Sequence, residues 1–183
     1  MARILLIGAI HEYQRESAHC SMVLRPWPEK LKLYLDQRAE YQKWIRERVK
    51  EFGPSLIFDE MNLAEEDHSD RLEDTGIPWV YMDIPEHVRR RFGLSVPRSP
   101  ENPIIKEVDE RRESHWRVVV GTLSQILEVD RVMVICGAAH LELLNQKEPF
   151  GEKLRDDGHD VDTIDIRNEP WCNLGWKTDL RPE

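Results

Sequence analysis

Two stretches of this chain, RILLIGAIHE at Arg3–Glu12 and RVMVICGAAH at Arg131–His140, share one pattern: an arginine, an apolar run, then Gly-Ala-x-His. An unbroken apolar run reads as a strand covered on both faces, the habit of parallel sheets. Parallel strands need crossover connections, and helical periods separate the runs here. From Pro28 to Phe52 a stripe of Leu31, Leu35, Ala39, Ile45, Val49 and Phe52 predicts a long helix, begun by Pro28 and stopped by Gly53-Pro54. SLIF, closed by Asp59-Glu60, and IPWVYMDI, ending at Asp83, read as the second and third strands. A second long helix is expected from Ile105 to Leu127, with Val118, Leu123 and Ile126 on its apolar side. RVMVICG is the fourth strand, EPFGEKLRDDG a short helix ending at Gly158, and DVDTIDI the fifth strand. A short helix is expected between Asn62 and Asp74, and a surface loop from Pro97 to Pro103. The tail after Asn168, with Trp171 and Trp176, is expected to wrap the surface. The whole reads as α/β: a single domain over residues 1–183, with a mostly parallel β-sheet flanked by helices.

Bulk properties narrow the function classes. The 183 residues carry a formal charge of −9, with 40% hydrophobic and 33% charged residues. Nothing in that balance supplies a basic stripe to replace phosphate counterions, so no nucleic-acid partner is expected. The local cluster HVRRRF, with Arg89–Arg91, reads as a solvated helix end or a small anion site. No run approaches the ~20 apolar residues of a membrane span, and the N-terminus lacks a signal-peptide layout. Cys20, Cys136 and Cys172 are widely spaced and form no C-x-x-C, which fits a reducing, cytoplasmic setting. Cys136 reads as a buried structural thiol.

The twin turns raise the question of a site. In open parallel sheets, ligands bind beyond the carboxyl ends of the strands. His11 and His140 each lie three residues past a strand-ending glycine, so neighbouring strands would bring both imidazoles to one rim. Glycine there would allow a positive φ or a close approach. Glu12, Asp59, Glu60 and Asp83 reach the same rim by the same logic. Two histidines with carboxylates have the composition of a metal site or of a general-base pair without metal. The plainer alternative is that each histidine caps a helix and each carboxylate is a cap or surface charge. No H-E-x-x-H, G-x-G-x-x-G or G-x-S-x-G occurs. Arg112, early in the second long helix, has the fork to hold a carboxylate or an oxyanion.

These elements resemble the Tiki/TraB and erythromycin-esterase-like superfamily, which also includes haem-binding ChaN-type proteins. That superfamily is marked by two G-x-x-H turns, a strand-end glutamate, and an R-[N/D]-x-x-[M/W] stretch on a helix between the turns. The matching positions are Gly8–His11, Gly137–His140, Glu60, and Arg112 with Glu113 and Trp116, while Glu12 matches the acid that often follows the first histidine. Glu113 departs from the usual Asn or Asp. The resemblance implies a hydrolase of esterase or peptidase type, acting on a small molecule or peptide. In it His11 serves as base or ligand, Glu60 orients it, His140 is a second base or ligand, and Arg112 steadies negative charge. It also implies a possible divalent metal (Mn, Co or Zn) on His11, Glu12, Glu60 and His140. The alternative is a non-catalytic or regulatory module binding a small anionic ligand or haem on the same rim. As a rim residue, His140 is expected to contribute about 1 kcal/mol or less to stability.

Overall fold

The structure, a computed structural model, describes residues 1–14, 18–60, 75–92, 104–141 and 148–177. The expected short helix at 62–74 and the loop at 97–103 lie outside the described residues. Five strands form one all-parallel sheet: β1 (Arg3–Ala9), β2 (Leu56–Asp59), β3 (Trp79–Tyr81), β4 (Arg131–Gly137) and β5 (Asp160–Asp165). Their spatial order is β3-β2-β4-β1-β5. The helices are α1 (His11–Gln14), α2 (Ala18–Leu24), α3 (Pro28–Phe52), α4 (Glu86–Arg91), α5 (Ile104–Ile126) and α6 (Phe150–Asp156). Among the described residues no helix is long and apolar enough to cross a membrane. The expected α/β architecture is therefore what the chain adopts.

The apolar runs are buried on both faces because each strand feeds two cores. On one face Leu5, Ile7 and Ala9 of β1, Ile57 of β2, and Met133 and Ile135 of β4 join residues of α3. On the other, Ile4, Leu6, Phe58, Val132, Val134 and Cys136 pack with Trp116 and Val120 of α5 and Phe150 and Leu154 of α6. The alternation follows from the two-residue period of side chains along a strand. Cys136 is fully buried, as expected, and burial first, with the nearby Glu60, Glu113 and Asp59 carboxylates, pushes its thiol well above the usual range. It is not a nucleophile.

Three details differ from the sequence reading. In α3 the buried face is Tyr34, Gln37, Tyr41, Trp44, Ile45, Val49 and Phe52, while Leu35 and Ala39 are exposed. Large aromatic rings bury more area than the leucine and alanine they displace, and so set the rotation of the helix. In α5 Val118 and Ile126 are 65% and 68% exposed, and the inward residues at four-residue spacing are Val108, Arg112, Trp116, Val120 and Ser124. The tail keeps to the surface as expected, with Pro170, Asn173 and Gly175 exposed, but Trp176 is buried in the α3-side core and Trp171 packs against Trp44.

The order of the strands sets the stage for function. β4 lies between β2 and β1, with Ile135 opposite both Ile7 and Asp59. The residues that follow β1, β2 and β4 thus emerge side by side at the carboxyl edge, where α/β sheets bind ligands.

Candidate functional site

Glu60 is the hub. It follows β2 directly, its backbone N–H donates to Ile135 O at 2.9 Å, and its side chain is 2% exposed. Oε2 accepts from Gly137 N at 2.7 Å and lies 3.1 Å from His11 Nε2. Oε1 accepts from an Arg112 terminal nitrogen at 2.5 Å, and His140 Nε2 stands 3.7 Å away as an ion pair beyond hydrogen-bond distance. Burial alone would raise the Glu60 carboxyl, but His11 and His140 outweigh it and hold the group well below its usual range. Glu60 is therefore an anion, and an anion can only accept. The neutral His11 ring must then carry its proton on Nε2, leaving Nδ1 as the basic nitrogen. The His11 side chain is 19% exposed, and no described residue hydrogen-bonds to its Nδ1.

The glycine before the second histidine turn is needed for space. Neither Gly8 nor Gly137 has a positive φ. A Cβ at Gly137 would lie 2.6 Å from His11 Nε2 and 3.4 Å from Glu60 Oε2. Gly137 thus lets the imidazole rest against β4 while its own N–H holds the carboxylate. Gly137→Ala is expected to fold, since its backbone is unstrained, but to push the imidazole off Glu60. A shift of that size costs about 100-fold in a reaction that depends on His11. Turnover of the variant against its urea midpoint checks this. Full activity would mean that the His11–Glu60 contact is dispensable.

Arg112 comes from the inward face of α5 and ties three carboxylates together. Its Nε donates to Asp83 Oδ1 at 3.0 Å and a terminal nitrogen to Asp83 Oδ2 at 2.7 Å. The other terminal nitrogen reaches Asp109 at 3.2 Å. The Trp116 ring lies under the guanidinium at 5.0 Å, and its Nε1–H donates to Asp83 at 3.0 Å. Burial opposes the charge of Arg112, but Glu60 and Asp83 more than offset it and raise the group further. A fork this fully engaged is poorly placed to turn toward a substrate. Its place in the structure is that of a positioning residue for Glu60.

His140 forms the second limb. It sits in a 3₁₀ turn, Ala138–Leu141, and its Nδ1 is 2.7 Å from Glu113 Oε1, whose other oxygen accepts from Lys153 at 2.5 Å. The Trp116 ring meets the imidazole edge-on at 4.8 Å. Burial would lower the imidazolium, but Glu113 and Glu60 outweigh it and raise its pKa to about 9. His140 is thus a cation at neutral pH.

His140 was expected to be a cheap rim residue, and its burial overturns that. His140→Ala would strip the imidazolium from Glu113, whose side chain is fully buried and also accepts from Lys153. A broken buried pair costs about 3–5 kcal/mol. The pH dependence has a definite sign. A pKa raised from 6.5 to about 9 adds stability that is complete below pH 6.5 and fades as pH rises through 9. The loss is about 3 kcal/mol. Urea unfolding at pH 7 and pH 10, on wild type and His140→Ala, checks it; an equal alkaline loss in both would remove His140 as the cause.

The structure brings His11, Glu60, Arg112 and His140 together, with Glu113 and Trp116. Glu12 lies in α1, but its side chain is outside the described residues. Asp59 does not join them: the strand alternation turns it to the α3 face with Ile57, where burial and then its charge raise the Tyr41 phenol. Asp83 belongs to the network, but as the buried anchor of Arg112 and Arg89. Sequence reading missed Lys153. Its only signal was a lysine three residues after Phe150 on the buried stripe of α6.

The donor set of the described residues, which leaves out the Glu12 side chain, does not fit a divalent ion. Among the described residues no three histidine, cysteine or carboxylate side chains stand close enough to hold one. Both Glu60 oxygens already accept N–H donors, and a protonated His140 offers no lone pair. Arg112 and His140 supply the positive charge beside Glu60 instead. No family model, curated protein or solved structure matches the chain.

Proposed function

We propose that this protein is a hydrolase of esterase or peptidase type that activates water with His11. The observation that carries the reading is the 3.1 Å contact between His11 Nε2 and the buried, ionised Glu60, which leaves Nδ1 as the base. Nδ1 takes a proton from water as the oxygen attacks an acyl carbon, and Glu60 stabilises the imidazolium that forms. Glu60 keeps no proton itself, because its environment favours the anion. Nδ1 then returns the proton to the leaving group. Arg112 and Gly137 hold the carboxylate that holds the imidazole. His140, already charged, adds positive potential where negative charge develops.

The resemblance to the Tiki/TraB and erythromycin-esterase-like superfamily supports the reaction class, while the donor set favours a metal-free form of it. The test is hydrolysis of activated esters and short peptides by wild type, with chelator and with added Mn²⁺, Co²⁺ or Zn²⁺. Turnover unchanged by the chelator and lost in Glu60→Gln is the expected result. Turnover that appears only with added metal would return the site to an ion. No turnover with any substrate, together with tight binding of a small anion or haem, would favour the binding-module alternative.

A further inference from the structure

The C-terminal tail reaches the helix that carries His11. Tyr13, two residues after His11 on the short α1, is 1% exposed. Its ring lies 6.1 Å from both Tyr34 and Tyr41 of α3 and 5.8 Å from Trp176. Trp176 Nε1–H donates to the Tyr13 hydroxyl at 2.9 Å. The tail is itself fastened, because Asn173 N donates to the Gln37 side-chain oxygen at 2.6 Å, and Gln37 is a buried polar residue on the inward face of α3. The Asn173 side chain in turn accepts from Gly175 N at 2.8 Å, shaping the turn that delivers Trp176.

Helix α1 has too few residues to fix its own position. Four residues make barely one turn, and an isolated turn is unstable in water. Its registration on the sheet must come from side chains, and among its described side chains Tyr13 is the one that enters the core. On the other side of α1, His11 must keep its nitrogen 3.1 Å from Glu60. A tryptophan whose only polar atom is aimed at the Tyr13 hydroxyl fixes one end of a lever whose other end is the imidazole.

We infer that Trp176 and Tyr13 are positioning residues for His11, so that the tail 169–177 works as a strap, anchored by the buried Trp176, setting the imidazole against Glu60. The inference rests on His11 being the base, and its test does not need turnover. Trp176→Phe and Tyr13→Phe in the full chain each remove the hydrogen bond and keep an aromatic ring. Ile45→Val, in the same core but with no polar group to offer that hydroxyl, is the control for general destabilisation. Nitrogen NMR of the imidazole rings reports which His11 nitrogen carries the proton. Acylation by diethyl pyrocarbonate, mapped by mass spectrometry, reports how freely the ring leaves its place.

Both phenylalanine variants should mix the His11 tautomers and speed its acylation about fivefold, the change in a local opening equilibrium expected when one buried hydrogen bond is lost. The exposed His87 and His115 should react as before. Wild-type behaviour of His11 in both variants would overturn the strap. So would an equal change in Ile45→Val, which would make the tail ordinary core. A wild-type His11 protonated on Nδ1 would count against the base reading alone, and the acylation rates would still decide the strap.

Discussion

Arg112→Ala is expected to lower stability by about 3–5 kcal/mol, the cost of stripping the partner from buried ion pairs. The guanidinium is the shared donor to Glu60 and Asp83, both 2% exposed at the side chain, and neither carboxylate has water to turn to. Glu60 would keep Gly137 N and His11, and Asp83 would keep Arg89 and Trp116. These residual donors set the loss inside that range and keep it from being larger. Arg112→Lys should recover only part of it, because an ammonium cannot span two carboxylates with a planar fork. Urea denaturation of the three proteins is the measurement. A loss under about 1 kcal/mol for Arg112→Ala would mean that the network relaxes without its centre.

The second expectation separates chemistry from stability. His11→Ala should reduce turnover by about 10²–10⁴-fold, the usual contribution of a positioned base. Its stability cost should stay near 1–2 kcal/mol, since the ring is partly solvated and gives up one hydrogen bond to a charged partner. His11→Gln, which offers an N–H donor to Glu60 but no base, should recover stability and not turnover. If His11→Gln keeps full activity, proton transfer does not run through this residue. If His11→Ala unfolds the protein, the histidine is a core residue first.

The two variants probe opposite kinds of residue in one cluster. Arg112 is nearly enclosed and holds the network together, whereas His11 is partly open to solvent. Exposure ranks them in that order for stability, and the buried carboxylates beneath Arg112 widen the gap.

The inner strands β1, β2 and β4 were legible as apolar runs bounded by polar or turn residues, the mark of a strand covered on both faces, while β5, DVDTID, showed only as a short alternation after a helix-ending glycine. The twin Gly-Ala-x-His turns likewise placed both histidines at carboxyl ends, and Glu60 followed its strand directly. What made these three residues neighbours is the insertion of β4 between β2 and β1, a fact of long-range pairing that no local pattern encodes. The apolar side of α5 was misread at Val118 and Ile126 for a related reason. Arg112 was read as a fork for a carboxylate, but which carboxylates it holds depends on Glu60 and Asp83, and the partners of Glu113 on His140 and Lys153, all from other parts of the chain. The burial of Trp176 was not legible because the tail's tryptophans have no period, and only the packed α3 reveals the gap that Trp176 fills. The sequence by itself determined the layered α/β chain and the residues at its rim, since hydrophobic period and turn chemistry act over a few residues. The tertiary structure alone decided which charges are buried together and which histidine is a cation, because burial and pairing depend on groups distant in sequence.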